Sequence, residues 1–254
     1  MNNMYLIDTH SHIYYDTYKD NLDEIINRAK NNNIKKIICV GVDLKTSEQS
    51  IKIAEKYNCV YATVGYHPHD SQKTDKNYLK EIERLYSHNK VVAIGEIGLD
   101  YYYKHSPKKI QQKIFNEQLE LSKSLNAPVI IHNRLSDTDL LNSLKEQKIS
   151  NGVIHCFASN LDFAKSITNL GLFISFTGLI TFVKDLEEVV KKISINNIMI
   201  ETDSPYLTPI PNRGKTNEPY MVKYIAEKIA SIKKIPLDEV IKKTSSTANN
   251  FFGI

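Results

Sequence analysis

Eight short apolar runs rich in β-branched residues recur along the 254-residue chain, each separated from the next by a longer amphipathic stretch. No other feature constrains the fold as strongly. The runs lie at 4–10, 35–42, 60–66, 91–97, 128–134, 151–157, 172–178 and 198–203. Most are continuously apolar rather than alternating, which is the pattern of parallel strands covered on both faces. The segments between them carry helical spacing. Leu22, Ile25, Ile26 and Ala29 share one face, as do Leu79, Ile82 and Leu85. Phe115, Leu119 and residues 121–125 mark the longest helix; 136–148, 162–170, 182–193 and 218–234 follow, and a last helix starts near Pro236. A strand followed by a helix, repeated eight times at this length, predicts a single (β/α)8 TIM barrel over residues 1–254. An open doubly wound sheet is the alternative. It would carry a glycine-rich phosphate loop after the first strand, where this chain has histidines. The proline-rich stretch 205–219 reads as a long final loop, not a domain boundary.

Composition supports a large core and makes disorder the exception, with 41% hydrophobic and 24% charged residues. Lysine and arginine number 33 against 29 acidic residues, a net charge of +4 that permits an anionic substrate without requiring one. The cysteines, Cys39, Cys59 and Cys156, form no C-x-x-C pair, which argues against a disulfide framework and suits a reducing compartment. The start of the chain, "MNNMYLID", lacks the basic and apolar regions of a signal peptide. No apolar run approaches the ~18 residues that span a bilayer. The expectation is a cytoplasmic protein without a membrane partner.

The strand ends carry the chemistry. "LIDTHSH" (6–12) ends in His10 and His12, which alternation along a strand aims the same way. The corresponding ends of later runs hold His67, Glu96, His132, His155 and Asp203. Barrel active sites form at the carboxyl ends of the strands, so seven metal-capable groups converge on one rim. A mononuclear catalytic zinc needs about three protein ligands. Four histidines and two carboxylates exceed that and suit two divalent ions, with Glu96 as the bridging carboxylate. The nitrogen-rich set favours zinc, manganese or iron-type ions, and the carboxylates keep magnesium open.

These residues resemble the TatD family of metal-dependent deoxyribonucleases. The resemblance rests on "IDTHSH" (7–12), "VGYHPH" (64–69), "AIGEIGLDYY" (93–102), "PVIIHNR" (128–134), "GVIHCF" (152–157), "ETDSPYLTP" (201–209) and "RGKTNEP" (213–219), in order along nearly the whole chain. It implies a TIM barrel, a two-metal site and phosphodiester hydrolysis. It also implies that His10, His12, Glu96 and Asp203 hold one ion and Glu96, His132 and His155 the other. His67 and Glu201 would bind substrate or a further ion. The sequence departs from the family at "HCFAS", where Ala158 and Ser159 replace a hydroxyl residue and a glycine, leaving the shape of that loop open.

In this setting Glu96 and Asp203 are the catalytic carboxylates, with Asp203 placed to take a proton from the attacking water. Glu201 either orients a ligand or pairs with a rim lysine. Arg134, two residues after His132, either offers a fork to phosphate or pairs with Asp137. Asp8 either supports a ligand histidine or is paired in the interior. "DYYYKHSPKK" (100–109) mixes tyrosines with cations, as a base-stacking loop or as a solvated one, and Arg213 and Lys215 carry the same ambiguity. Cys156, adjacent to a ligand, points away from the site and belongs to the core.

The leading functional expectation is a DNase acting 3′ to 5′ on single-stranded or frayed DNA ends. Ester hydrolysis of a D-aminoacyl-tRNA would use the same metals. A catalytically idle nucleic-acid-binding barrel is the third reading, and the complete ligand set argues against it. The oligomeric state is not legible in the sequence.

Overall fold

The computed structural model describes residues 4–254; residues 1–3, part of the stretch "MNNMYLID" read above, lie outside the described residues. The strands are β1 (Leu6–Ser11), β2 (Ile34–Val40), β3 (Val60–Val64), β4 (Val91–Asp100), β5 (Val129–Arg134), β6 (Gly152–Ile154), β7 (Phe173–Phe176) and β8 (Ile198–Ile200). They form one sheet in sequence order, and every neighbouring pair is parallel. The sheet closes through the chain just after β8. Ser11 bridges Ser204, the Asp203 N–H donates to the His10 carbonyl (2.9 Å), and the His12 N–H donates to the Ser204 carbonyl (2.8 Å). The barrel therefore shuts at the residues expected to carry its chemistry.

Helices α1 (Leu22–Asn31), α2 (Leu44–Lys56), α3 (Tyr78–Tyr86), α4 (Lys108–Ser124), α5 (Asp137–Glu146), α6 (Leu161–Asn169), α7 (Leu186–Lys192), α8 (Val222–Lys233) and α9 (Leu237–Phe252) complete the fold. Their starts are chemically marked. Asp43 and Thr46 form a reciprocal capping box on α2, the Asn160 side chain caps α6, and Pro107 and Pro236 precede α4 and α9. Several elements differ from the sequence reading: β4 runs on to Asp100, three residues past the expected end, and β8 stops at Ile200, so Glu201 and Asp203 lie beyond the strand. Helix α7 begins four residues later than expected because a 3₁₀ turn at Gly178–Thr181 comes first. Strand β6 stops at Ile154, so His155 extends from the strand end instead of lying within it.

One apolar layer lies between barrel and helices, and a second fills the barrel's lower interior. Ile7, Ile38, Ala93, Ile130, Val153 and Met199 point into that interior, where Phe251 and Phe252 of α9 join them. From this floor, alternation carries β5 from Ile130 to His132, and the sixth and eighth units from Val153 to His155 and from Met199 to Glu201 and Asp203. Two strands need a correction to reach the same end. β1 spends three residues (Asp8 to Ser11) against two on β2 (Ile37 to Cys39), and β4 spends three (Ile94 to Ile97) against two on β5 (Val129 to Ile131). Each extra residue reverses the inside–outside parity. Ile7 and Ala93 point inward below the irregularity, and His10, His12 and Glu96 point inward above it.

Candidate metal centre

The cluster starts with His12. Its Nδ1 donates to the Val40 carbonyl (2.9 Å), so Nε2 presents its lone pair to the site. His10 Nε2 lies 3.2 Å from His12 Nε2, and Asp203 Oδ1 lies 3.4 Å from His12 Nε2 and 3.8 Å from His10 Nε2. Nitrogens bound to one tetrahedral ion at the usual bond length sit about 3.3 Å apart. The spacing is that of ligands sharing an ion.

Glu96 is the centre of the arrangement. Its Oε2 lies 3.2 Å from His10 Nε2, whereas its Oε1 lies 2.7 Å from His155 Nε2, 2.9 Å from His132 Nδ1 and 3.3 Å from His67 Nε2. The two oxygens of one carboxylate thus face two separate sets of histidines. Three overlapping groups have ligand atoms close enough to hold a metal: His10, His12 and Glu96; His10, His155 and Asp203; His67, Glu96 and His132.

Electrostatics agree with the donor chemistry. Burial works against both charged carboxylates, yet the surrounding histidines hold Glu96 well below the usual carboxylate range and Asp203 below it. Conversely, burial should lower every buried histidine, yet Asp203 raises His12, Asp100 and Glu96 raise His132, and Glu96 and Glu201 raise His155 well above the ordinary value. Of the two histidines in the first ligand group, His10 falls, through burial and the stacked His155 ring at 3.9 Å. A site that draws protons onto buried imidazoles has a negative field that divalent cations would satisfy, so the residues present fit a metal centre.

The ligands are braced from behind. His132 Nε2 donates to Asp100 Oδ2 (3.0 Å), which fixes Nδ1 as the inward atom. Asp100 also takes His69 Nε2 (3.0 Å) and the backbone N–H groups of Tyr102 and Tyr103 (2.9 Å each). Gln111 of α4 clamps the Asp100 main chain from both sides, at 2.8 and 2.9 Å. Gly98 makes this possible: a Cβ there would meet the His132 carbonyl oxygen at 2.1 Å, and its φ of +141° is foreign to other residues. Asp100, His69 and Gln111 were not singled out in the sequence. The available signal was that Asp100 shares the strand parity of Glu96 and that His69 follows His67 by two.

Glu201 is buried behind His155, with its Oε1 3.5 Å from Nδ1. It accepts from the Cys156 N–H (2.6 Å), the Ser175 hydroxyl (2.6 Å) and the Thr9 hydroxyl (3.3 Å). This geometry matches the orienting role, and among the described residues no lysine lies within ion-pair distance of it. Asp8 takes the other course. It accepts from the Thr202 N–H (2.8 Å) and hydroxyl (2.7 Å), tying β1 to the chain after β8, and burial pushes its carboxyl well up. Cys156 Sγ lies 3.8 Å from the Thr177 hydroxyl, and burial, with Asp203 and Glu201 nearby, pushes its thiol well up, which disfavours the nucleophilic thiolate.

His67 sits at the edge of the cluster. Its Nδ1 accepts from the His69 N–H (3.1 Å), so the neutral ring carries its proton on Nε2, facing Glu96. Burial pushes it down to about 4. Its distances admit it to a metal group, but the tautomer makes it a hydrogen-bond donor, which favours substrate contact over ion ligation. Arg134 is not brought into the cluster. It lies exposed on the rim, 4.0 Å above the Tyr102 ring and 4.8 Å from that of Tyr103. Its expected partner Asp137 is taken by Asn133 (2.6 Å) and by the Ser159 hydroxyl, which settles the shape of the loop holding Ala158 and Ser159. Tyr101 is packed, its hydroxyl donating to Asp139 (2.8 Å), whereas Tyr102 and Tyr103 are exposed. Arg213 is held by the Thr208 carbonyl (2.9 Å) and the Phe182 ring (4.2 Å).

The same architecture occurs in known proteins. The chain is 41% identical over 253 residues to YabD of Bacillus subtilis (strain 168), described as a metal-dependent hydrolase, covering 98% of this chain and 99% of that one. It is 33% identical to the metal-dependent hydrolase YcfH of Escherichia coli (strain K12), covering 99% and 97%. The crystal structure of YjjV, a TatD homologue from E. coli K12, superposes with a TM-score of 0.94 at 27% identity, covering 99% of each chain. A TatD family hydrolase from Entamoeba histolytica superposes at 0.90 with 29% identity, covering 98% of each. No helix among the described residues is long and apolar enough to cross a membrane. The family described as TatD related DNase matches residues 7–253, and the chain therefore belongs to the TatD family of metal-dependent hydrolases.

Proposed function

We propose that this hydrolase cleaves phosphodiester bonds of DNA at a site for two divalent ions, acting 3′ to 5′ on single-stranded or frayed ends. The observation that carries the reading is Glu96, whose two oxygens face separate histidine groups at 3.2 Å and 2.7 Å. His10, His12, Glu96 and Asp203 would hold one ion, and Glu96, His132 and His155 the other, with zinc, manganese or magnesium compatible with the donors. When bound, such a pair supplies an acidified water and neutralises the phosphate oxygens.

The chain's own groups do the rest. Asp203, with its side chain 14% exposed and its carboxyl held below its usual range by His12, His10 and His155, would accept the water's proton. His67 offers its Nε2–H to a phosphate oxygen. Arg134 keeps its guanidinium edge for a neighbouring phosphate. Asp100 holds His132 at a fixed angle through its hydrogen bond, and Glu201 supplies negative charge behind His155. The free cysteines suit a cytosolic setting.

The test is purified protein with labelled single-stranded DNA, duplex DNA and charged tRNA, each under several divalent ions. Release of mononucleotides from single-stranded 3′ ends is expected. Deacylation of D-aminoacyl-tRNA with intact DNA would replace the nuclease reading with the esterase one. Nucleic-acid binding without turnover in any metal would mean an idle barrel.

A further inference from the structure

Beside the metal centre, a cavity of about 620 Å³ opens between the ends of β4, β5 and β6. Its walls include Tyr101, Tyr102, Arg134, Leu135, Ala158 and Ser159. Two of its walls continue from ligand-bearing segments: Arg134 follows His132 by two residues, about 7 Å along β5, and Ala158 follows His155 by three.

Leu135 is the unexplained residue. Its backbone is left-handed, with φ of +53°, a conformation that is unfavourable for a branched apolar side chain. Its side chain is 72% exposed, the most of any large hydrophobic residue among those described. An isobutyl group in water contributes nothing to folding, and a glycine would relieve the backbone. Strain held at the lip of a site points to use there. Around it, the acidic groups are already engaged. Asp137 is bound by Asn133 and Ser159, and Asp139 by Tyr101 and Gln112. Arg134 has no carboxylate within ion-pair distance among the described residues and lies 4.0 Å over the exposed Tyr102 ring. The cavity thus combines an apolar knob, an aromatic face and one uncommitted fork of N–H donors.

Resting on the nuclease reading above, we propose that this cavity is a nucleobase subsite: the base next to the scissile phosphate packs against Leu135 and Tyr102, and its phosphate is held by Arg134. The recognition is by stacking and apolar contact and so tolerates every base. It requires a base to be present and unpaired, which accounts for a preference for single strands or frayed ends.

The experiment compares kcat/KM for single-stranded oligonucleotides carrying one abasic residue, placed either next to the scissile bond or several nucleotides away. In the wild-type enzyme the adjacent abasic residue should lower kcat/KM between about fivefold and a hundredfold, the range of one stacking interaction, and the distant one should not. In Leu135→Gly and Tyr102→Ala that discrimination should fall toward one. Leu135→Gly should melt no lower than wild type, because glycine suits the left-handed backbone, so lost discrimination cannot be blamed on unfolding. Cleavage that ignores the adjacent base in the wild type, or discrimination that survives both substitutions, overturns the subsite and leaves the nuclease reading standing. Failure to cleave any oligonucleotide in any metal overturns both.

Discussion

The metal centre and the lip formed by β4 and β5 lie a few residues apart along one strand, yet they are built on opposite principles. In the centre the ligands are buried or nearly so, and several are backed by a partner: His12 and His132 are hydrogen-bonded from behind by Val40 and Asp100, and Glu201 lies 3.5 Å behind His155. On the lip, Tyr102, Tyr103, Arg134 and Leu135 are exposed, and Arg134 lies over the Tyr102 and Tyr103 rings. The contrast teaches where precision is needed. Atoms that handle a reacting bond must be preorganised within a low-dielectric pocket. Atoms that grip a long, variable substrate can stay in water and act by stacking and charge. Damage to the centre should therefore appear in kcat and metal affinity, and damage to the lip in KM.

The sharpest break would come from Glu96. Glu96→Gln should retain the fold and lose about a thousandfold in kcat, far more than any change at Arg134. Elemental analysis should show fewer than the two ions per chain expected of wild type. Near-normal turnover in this variant would mean that the bridge lies elsewhere, and full wild-type activity at one ion per chain would end the two-metal reading.

Next in size is Asp100, which touches no proposed ion. Asp100→Asn should weaken metal affinity by about ten- to a hundredfold, measured by chelator competition, because His132 loses the partner that fixes its tautomer. Unchanged affinity would remove Asp100 from the centre's design and leave it as a loop anchor for Tyr102 and Tyr103.

His67 tests the buried edge of the centre through pH. Its folded-state pKa of about 4 lies below the ordinary histidine value, so folding favours the neutral ring. The unfolded chain then binds the proton first as pH falls, and stability present above the unfolded pKa is lost toward the folded one. By pH 5 the loss should reach about 2 kcal/mol. In metal-free protein, His67→Gln should accordingly gain about that much relative to wild type between pH 8 and pH 5 in urea denaturation. An identical difference at both pH values would show that the ring is not held neutral.

On the lip, Arg134→Lys should raise KM about tenfold and leave kcat within about twofold, since an ammonium cannot reproduce the fork. A fall in kcat to match would join the lip to the chemistry and erase the contrast. The smallest effects belong to the exposed Lys104 and Lys215. Each changed to alanine should lower the slope of log affinity against log salt by roughly 0.7 if it meets a phosphate of single-stranded DNA. Slopes that do not move would confine the grip on substrate to Arg134 and its neighbours.

Much of this was legible in the chain itself. The eight continuously apolar runs specify parallel strands because only burial on both faces tolerates such sequences. The barrel follows from their number, and the location of the site follows from the barrel. His10, His12, Glu96, His132, His155 and Asp203 could be found as polar residues ending apolar strands. The sequence also determined their chemistry, since imidazole and carboxylate keep their donor character wherever the fold puts them.

Only the tertiary structure decided how those groups are aimed. Strict alternation from the barrel floor would turn His10 and Glu96 outward, and the extra residues in β1 and β4 turn them in. Such a bulge is a mismatch between two strands, so neither strand records it alone. The same holds for Asp100 behind His132, for the two oxygens of Glu96 facing different histidines, and for Arg134 lying on Tyr102. Residue type is a local property of the chain. Tautomer, protonation and aim depend on neighbours that are distant in sequence, and those exist only once the barrel has closed.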